Sequence, residues 1–342
     1  MEKAHFKDQD KRKSYFKMGF FYLFFFVLGC AVGSGNTLAG AENRERTAVQ
    51  LPYTRTEGRR EEFHEFEAYK NLPYPSSYPN HYYDAFLFPK DKRKEALGTI
   101  IYVHGGGFVS GTKDIVQDNP YFLKWLRSGF QVISVDYALA PDYPYPTALY
   151  QLSYCVQKLF EEKESLGINT KKLIFVADSA GASLAGQFIL TQVNKSYSKK
   201  LDIPSFVSKK GGKICAFISL SGLLDCTRYH KTGLAENDKT FLSWGRQYFQ
   251  ELSFYNGKKA EQTKLENYLT KDFPPTFLSD GNVGTFRDQA IDFKERCVEL
   301  GIPVVSYFPD SSLPHDYELH MDSQEAEESL EKQIRFVKFL LS

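Results

Sequence analysis

Short apolar runs and longer amphipathic segments alternate along the chain from Tyr82 to its end. The short runs are rich in β-branched and aromatic residues and predict strands over Tyr82–Phe88, Gly98–Val103, Gln131–Val135, Lys172–Val176, Ile214–Leu220, Thr276–Ser279 and Val304–Phe308. The longer segments have helical spacing of their apolar residues and predict helices over Tyr121–Ser128, Thr147–Glu162, Ala182–Asn194, Asp288–Leu300 and Ser323–Leu341. Continuously apolar strands that alternate with helices are typical of an α/β fold, with a mostly parallel central sheet and helices on both faces.

The same pattern divides the chain into three parts. Residues 1–41 read as an export signal or an N-terminal membrane anchor, and the charged, irregular residues 42–80 as a linker or an N-terminal flap. Residues 81–342 form the main domain. Within it, residues 223–272 interrupt the alternation and are rich in Tyr, Phe, Trp and Lys, so we expect a cap above the carboxyl ends of the strands. The lysine-rich stretch 199–212 reads as a solvated loop.

The N-terminus combines a basic segment with an apolar one. Residues 1–17 carry six basic and three acidic side chains, and no charge follows before Glu42. This order is typical of an export signal, which predicts a secreted or membrane-associated protein. Three forms of processing stay open. Signal peptidase could cleave after Ala39-Gly40-Ala41, or Cys30 could be lipidated as in a bacterial lipoprotein box. The segment Met18–Val32 could also stay as an uncleaved anchor, although it is short for a membrane span.

Charge and cysteine content narrow the choice of partners. The chain has 43 basic and 42 acidic residues and a net charge of +1, so no basic excess indicates binding to nucleic acid. Its five cysteines are scattered and lack metal-ligand spacing. We expect Cys155, Cys215 and Cys297 to be buried free thiols, with a bridge between Cys215 and Cys226 as the alternative.

A serine follows the predicted strand that ends at Val176. The stretch Ala177-Asp-Ser-Ala-Gly181 is followed at once by the apolar helical pattern Ala182–Leu190. Small residues two before and two after Ser179 let a strand turn sharply into a helix. Such a turn exposes the serine hydroxyl and directs the helix N-terminus towards the group that the hydroxyl attacks. The turn makes Ser179 a candidate nucleophile, although small residues are common in other turns of this kind.

Three consecutive glycines follow the strand Gly98–Val103, in His104-Gly-Gly-Gly-Phe108. They allow the backbone to turn its N–H groups towards a common point, where they can stabilise negative charge on an oxygen. We expect Gly106 and Gly107 to supply two donors of an oxyanion hole and Ala180, just after the serine, a third. No Lys-Ser/Thr pair follows in the spacing of a phosphate-binding loop. His104 is expected to be structural.

These motifs occur together in an order known from one enzyme family. His104–Gly107, Tyr137–Pro141 and Ala177–Gly181 resemble the hormone-sensitive-lipase-like branch of the α/β-hydrolases, with Ala177 where the usual nucleophile elbow has glycine. The resemblance covers roughly Gly98–Tyr317. It implies a carboxylesterase or lipase that forms a covalent acyl-serine and needs no metal; we expect no cofactor.

The general base should be a histidine after the last strand. His315 follows Val304–Phe308 and occupies the place of the family's His-Gly-Phe segment. The resemblance implies that His315 takes the Ser179 proton during attack and returns it to the leaving alcohol.

The acid is where this sequence departs from the family. An ungapped alignment puts the family's first aspartate at Gly284, so the expected carboxylate is missing. We predict Asp280 instead, because it closes the strand Thr276–Ser279 and keeps the chain order Ser, Asp, His. Asp225 after the preceding strand, Asp288 and the absence of any acid are the alternatives. Asp288 is better placed to cap the next helix.

The sequence therefore predicts an exported serine hydrolase with Ser179, His315 and Asp280 as its catalytic residues. The expected substrate is a small-molecule or lipid ester. Two other functions stay open: a non-catalytic binding protein with the same fold, favoured by the missing acid at Gly284, and an amidase or peptidase that uses the same triad. Seven aromatic residues of the expected cap fit an apolar pocket, although aromatic residues also simply pack: Tyr229, Phe241, Trp244, Tyr248, Phe249, Phe254 and Tyr255.

Overall fold

The computed structural model describes residues 66–342. The export signal or anchor expected in residues 1–41, with its three forms of processing, lies outside the described residues. So do residues 42–65 of the expected linker. Within the described part, none of the helices has both the length and the apolarity needed to cross a membrane.

Eight strands of this part form one sheet, in the order β1-β2-β4-β3-β5-β6-β7-β8. The first two pairs in this order, β1–β2 and β2–β4, are antiparallel, and the other five pairs are parallel. This is the mostly parallel sheet that the sequence predicts. The strands are β1 (Glu67–Pro73), β2 (Tyr82–Leu87), β3 (Gly98–Val103), β4 (Phe130–Val135), β5 (Leu173–Asp178), β6 (Ile214–Leu220), β7 (Thr276–Ser279) and β8 (Val304–Tyr307).

Helices cover both faces of the sheet. In chain order they are α1 (Pro120–Arg127), α2 (Thr147–Leu166), α3 (Ser179–Val193), α4 (Lys195–Leu201), α5 (Ala235–Phe249), α6 (Lys258–Glu261), α7 (Arg287–Glu299), α8 (Tyr317–His320) and α9 (Gln324–Leu341). Side chains of α2, α3 and α7 share one buried cluster with alternate strand residues such as Ile101. Side chains of α1 and α9 pack with Ile100 on the other face. Neighbouring strand residues point to opposite faces, so each face has its own apolar core.

The structure corrects two expectations about irregular segments. Glu67–Pro73, inside the expected linker or flap at 42–80, forms edge strand β1. This strand is held by Lys70, which forms an ion pair with the fully buried Asp84 of β2, and by the N–H of Asn71, which donates to Asp84 Oδ1 at 2.7 Å. Lys195–Leu201 forms helix α4, so the expected loop at 199–212 begins inside a helix.

The segment expected as a cap at 223–272 lies between β6 and β7 and is largely helical. It contains α5, α6 and three 3₁₀ turns, at Cys226–Arg228, Phe254–Asn256 and Leu265–Tyr268. Cys215 and Cys226 are both free and buried, as are Cys155 and Cys297, so the alternative disulfide is not formed.

Candidate active site

Ser179 stands at the turn from β5 into α3. Its backbone φ is +48°, which is in the left-handed region that residues other than glycine rarely adopt. The turn needs small neighbours: a Cβ at Gly181 would collide with the carbonyl oxygens of Val103 and His104. Ala177 needs no such freedom, since it is an ordinary buried residue of β5. The hydroxyl of Ser179 thus lies at the N-terminus of a helix, where the helix dipole favours negative charge.

His315 lies in the loop between β8 and α8, with its Nε2 2.9 Å from Ser179 Oγ. The preceding residues fix this loop against the loop that follows β7. The carbonyl of Leu313 accepts hydrogen bonds from the N–H groups of Asn282 and Val283, both at 3.0 Å. Burial, and to a smaller extent the nearby His320, lowers the pKa of His315 to about 3. The imidazole is therefore neutral at ordinary pH, as a proton acceptor must be.

A single hydroxyl group separates the carboxylate of Asp280 from the imidazole of His315. This residue follows β7 directly and is fully buried. Its Oδ1 accepts a hydrogen bond from the hydroxyl of Thr285, and the same hydroxyl oxygen lies 3.0 Å from Nδ1 of His315. No hydrogen bond or ion pair joins Asp280 to His315 directly among residues 66–342. The carboxylate chosen from the sequence is thus in the site, but a threonine that the sequence did not indicate stands between the two.

The two alternative acids lie in other contacts. Asp225 accepts hydrogen bonds from the N–H and the hydroxyl of Thr227, and its Oδ2 lies 3.0 Å from Nε of Arg228. Asp288 does not cap α7, whose N-cap is Phe286. It lies in the first turn of that helix and forms an ion pair with Arg228 at 3.1 Å. Neither carboxylate has a recorded contact with the imidazole of the site.

Gly284, where the family has its aspartate, has a φ of +62°. A Cβ at this position would collide with Asn237 and Leu234, and Nδ2 of Asn237 donates to the Gly284 carbonyl at 2.8 Å. A side chain at Gly284 would therefore be strained in its backbone, and both neighbouring side chains would have to move to admit it. The loop turns here in a way that brings the next residue, Thr285, to the imidazole.

The glycine loop adopts conformations that only glycine adopts easily. Gly106 has a φ of +93° and Gly107 a φ of +65°. Within the described residues, neither N–H donates to a recorded protein acceptor. Ala180 is the second residue of α3, so its N–H has no acceptor within the helix. These are the three residues that the sequence assigns to an oxyanion hole, and their N–H groups are available for a ligand.

The side chain of His104 supports this loop. Its Nδ1 lies 2.8 Å from the carbonyl oxygen of Gly105, and its Nε2 lies 3.3 Å from Asp136 Oδ1. The ring stacks on Tyr137 with 4.2 Å between centroids, and the Tyr137 hydroxyl donates to the His104 carbonyl at 2.7 Å. This is the structural role expected for His104. It also explains why the Asp136-Tyr137 stretch accompanies the glycine motif.

Three further carboxyl groups lie around the Ser179–His315 pair, and the sequence analysis assigned no role to them: Asp178 and Glu318 are buried, and Asp316 is half-buried. Oδ1 of Asp178 accepts hydrogen bonds from the Tyr102 hydroxyl and the Gly105 N–H. Oδ2 of Asp316 lies 3.4 Å from His315 Nε2. Glu318 accepts a hydrogen bond from Ser221 at 3.0 Å, and burial raises its pKa to about 7. Burial likewise raises the pKa of Asp178, Asp280 and Asp316. The sequence offered one signal for two of these acids: Asp178 directly precedes Ser179, and Asp316 directly follows His315.

Aromatic side chains of the segment 223–272 close over the site. The ring of Phe241 lies 5.8 Å from that of His315 and 5.5 Å from that of Trp244. Trp244 and Tyr229 lie against Gly107, because a Cβ there would collide with both. Tyr248 stacks on Phe108 at 3.8 Å. Three of the seven expected pocket residues instead pack on one another, namely Phe249, Phe254 and Tyr255.

Known proteins share this architecture. Residues 100–318 match the family described as alpha/beta hydrolase fold. Esterase LipI of Mycobacterium tuberculosis is 26% identical over 212 residues, which are 60% of this chain and 61% of LipI. Hormone-sensitive lipase of Bos taurus is 34% identical over 93 residues, which are 27% of this chain and 12% of that protein. The matches thus span less than two thirds of these relatives. Esterase B from Lactobacillus rhamnosis superposes with a TM-score of 0.67 and 17% identity, over 81% of this chain and 87% of that one.

Proposed function

The chain belongs to the alpha/beta hydrolase fold family, and on that premise we propose that it is a serine esterase that cleaves carboxylic esters through an acyl-serine intermediate. One observation carries the proposal: Ser179 Oγ and His315 Nε2 are 2.9 Å apart at the N-terminus of a helix, with the glycine loop beside them. Nucleophile, base and oxyanion donors are the parts that acyl transfer requires.

The proposed reaction has two halves. Ser179 Oγ attacks the ester carbonyl carbon while its proton moves to Nε2 of His315, and the N–H groups of Gly106, Gly107 and Ala180 stabilise the tetrahedral oxyanion. The C–O bond to the alcohol breaks, and the imidazolium returns the proton to the leaving oxygen. A water molecule then attacks the acyl-serine with the same base, which releases the carboxylic acid and restores the hydroxyl.

The aromatic cover of the site favours esters with small or medium acyl groups. Trp244 contacts Gly107 on the oxyanion side, and Phe241 and Phe286 face the imidazole, the latter at 5.1 Å between ring centroids. These rings place bulky apolar side chains beside the oxyanion loop and the imidazole, so a short acyl chain needs the least displacement of them. Short p-nitrophenyl esters are therefore the substrates with which to begin.

Export is a separate part of the proposal and rests on the sequence of residues 1–41 alone. Expression of the full chain in a bacterial host, followed by fractionation, tests it. Recovery outside the cytoplasm would support export, and retention of the whole product in the cytoplasm would contradict it. A Cys30→Ala variant that loses membrane association would identify lipidation, and an unchanged distribution would exclude it.

Purified protein with p-nitrophenyl acetate and butyrate tests the reaction, together with a fluorophosphonate probe and matching anilides. Ser179→Ala is expected to abolish ester hydrolysis and labelling, and His315→Asn to reduce both. Ser183→Ala is the matched control, because this serine lies on the same helix but contacts Cys226. Wild-type activity in Ser179→Ala would refute the proposal. An unlabelled, inactive wild type would favour a non-catalytic binding protein, and faster cleavage of the anilides would favour an amidase.

A further inference from the structure

Thr285 is the only described side chain with a recorded hydrogen-bond contact to Nδ1 of His315, with 3.0 Å between the atoms. Its hydroxyl also donates to Oδ1 of Asp280, a fully buried residue that directly follows β7. We infer that Thr285 is a positioning residue that connects the buried carboxylate of Asp280 to the base, so that four side chains in series replace the usual three. The inference rests on the proposed function.

The direction of the hydrogen bonds follows from the chemistry of the groups. A hydroxyl has one proton to donate and lone pairs with which to accept. The Thr285 hydroxyl donates its one proton to Oδ1 of Asp280 and therefore turns a lone pair towards His315. Nδ1 must then carry the proton of the neutral imidazole. This leaves Nε2 unprotonated and able to accept the proton of Ser179.

The same arrangement also stabilises the positive charge that develops on His315 during the reaction. During attack the Ser179 proton moves to Nε2 and His315 becomes an imidazolium ion. The Thr285 hydroxyl keeps its own proton throughout, and its oxygen faces the positive ring with the negative carboxylate behind it. The stabilising charge of Asp280 thus acts through a polarised hydroxyl, at a greater distance than in a direct aspartate–histidine contact.

The surrounding structure supports Thr285 and disfavours a direct contact from the family position. A side chain at Gly284 would be strained by the positive φ, and Asn237 and Leu234 would have to move to admit it. Thr285 is itself buried, and Arg287, two residues later, donates from Nη2 to the backbone carbonyls of Asp280 and Pro309 at 3.0 and 2.7 Å. This arginine ties the loop of the acid to the loop of the base.

Substitution of Thr285 tests the inference with matched shapes. Thr285→Val keeps the size and branching but removes the hydroxyl, whereas Thr285→Ser keeps the hydroxyl. We expect Thr285→Val to lower kcat for p-nitrophenyl butyrate by roughly 10²- to 10³-fold with little change in KM, which is less than the ~10⁴-fold known for loss of a direct triad aspartate. Thr285→Ser should stay within about 3-fold of wild type, since its hydroxyl can make both contacts. Asp280→Asn combined with Thr285→Val should be no slower than the slower single variant, because residues that act as a unit are not additive.

A second measurement does not depend on turnover. Nitrogen-15 chemical shifts of His315 distinguish its two neutral tautomers, and we expect the Nδ1–H form in the wild type and in Thr285→Ser. In Thr285→Val the two tautomers should mix. Unfolding midpoints of the Val and Ser variants show whether both are folded.

The outcomes separate the inference from the proposed function. If Ser179→Ala is inactive but Thr285→Val keeps wild-type kcat, the inference is wrong and the esterase proposal stands. If the wild type neither hydrolyses esters nor binds the phosphonate, the esterase proposal fails, and the tautomer still decides the role of Thr285. An Nε2–H imidazole in the wild type would overturn the inference whatever the activity. Should Thr285→Val not fold, loss of the Nδ1–H form in Asp280→Ala would support the connection, because the Thr285 hydroxyl is then free to donate to Nδ1, and its retention there would refute it.

Discussion

The carboxylate of Asp178 accepts a hydrogen bond from the backbone N–H of Gly105, with 3.0 Å between the atoms. This contact joins the residue before Ser179 to the first glycine of the loop that bears the proposed oxyanion donors. The serine turn and the glycine loop are therefore held in position relative to each other. The Tyr102 hydroxyl donates to the same oxygen at 2.7 Å and keeps the carboxylate in place.

Asp178→Ala is expected to lower kcat by up to about 100-fold, because the glycine loop loses its attachment and an oxyanion donor lost entirely costs this much or more. KM should change little. Steady-state kinetics with p-nitrophenyl butyrate provide the measurement. Asp178→Asn is the control, since its amide oxygen can still accept from Gly105 and Tyr102. Equal kcat values for the Ala variant and the wild type would contradict the role of this contact.

Gly181→Ala is expected to prevent correct formation of the elbow. The new Cβ would collide with the backbone carbonyl oxygens of Val103 and His104, which belong to β3 and its continuation and cannot move freely. Loss of fluorophosphonate labelling and a lowered unfolding midpoint are the expected results. Gly211→Ala is the matched control: it has a φ of +77° but open space around it, so it should lose only about 1 kcal/mol of stability. Similar results for both variants would argue against the close approach at Gly181.

Glu318 should make the stability of the fold depend on pH. Burial raises its pKa from 4.5 to about 7, so its favourable contribution is complete below pH 4.5 and is lost as the pH rises through 7. The loss amounts to at most about 3 kcal/mol at alkaline pH. Three other carboxyl groups lie near Glu318 and disfavour its negative charge, namely Asp178, Asp280 and Asp316.

Glu318→Gln removes this titration while its amide oxygen can still accept from Ser221. Denaturant unfolding at pH 5 and pH 8 should show that the variant gains stability over the wild type at pH 8 and little at pH 5. The exposed Glu327→Gln serves as the control and should show no such difference. A Glu318→Gln variant that is equally affected at both pH values would show that Glu318 does not titrate in this range.

Trp244→Ala is expected to widen the acyl range of the proposed esterase. Its indole lies against Gly107 and packs on Phe241, so its removal opens apolar space beside the oxyanion loop. The ratio of kcat/KM for p-nitrophenyl octanoate over acetate should rise roughly 10-fold, as expected if about two more methylene groups are buried. Trp244→Phe should change the ratio much less. An unchanged ratio in the Ala variant would place the acyl chain elsewhere.

The sequence predicted the parallel strands well because their signal is local. β3, β6 and β7 have the predicted bounds, since each is almost wholly buried and is followed directly by a polar residue. β1 was missed because it is an edge strand whose one fully buried side chain is a lysine, Lys70. The other residues of β1 are at least partly exposed, so the strand contains no apolar run from which it could be predicted.

The site could be predicted only as far as its motifs extend. Ser179 and His315 follow strands whose carboxyl ends meet at one edge of a sheet, so their sequence positions already imply proximity. Thr285 belongs to no recognisable sequence motif, and its contact with His315 depends on how the loop turns at Gly284. The choice among Asp280, Asp225 and Asp288 depends likewise on three-dimensional contacts.

The hydrogen bond from Asn237 to the Gly284 carbonyl has a consequence for substrate entry. Asn237 belongs to α5, the helix that also carries Phe241 and Trp244 over the nucleophile. Gly284 directly precedes the threonine that contacts the imidazole. A displacement of α5 large enough to admit a bulky ester would break this bond and free the loop beside the base. Opening of the cover would therefore release the loop that holds Thr285 against the imidazole, whereas a closed cover keeps the loop in place.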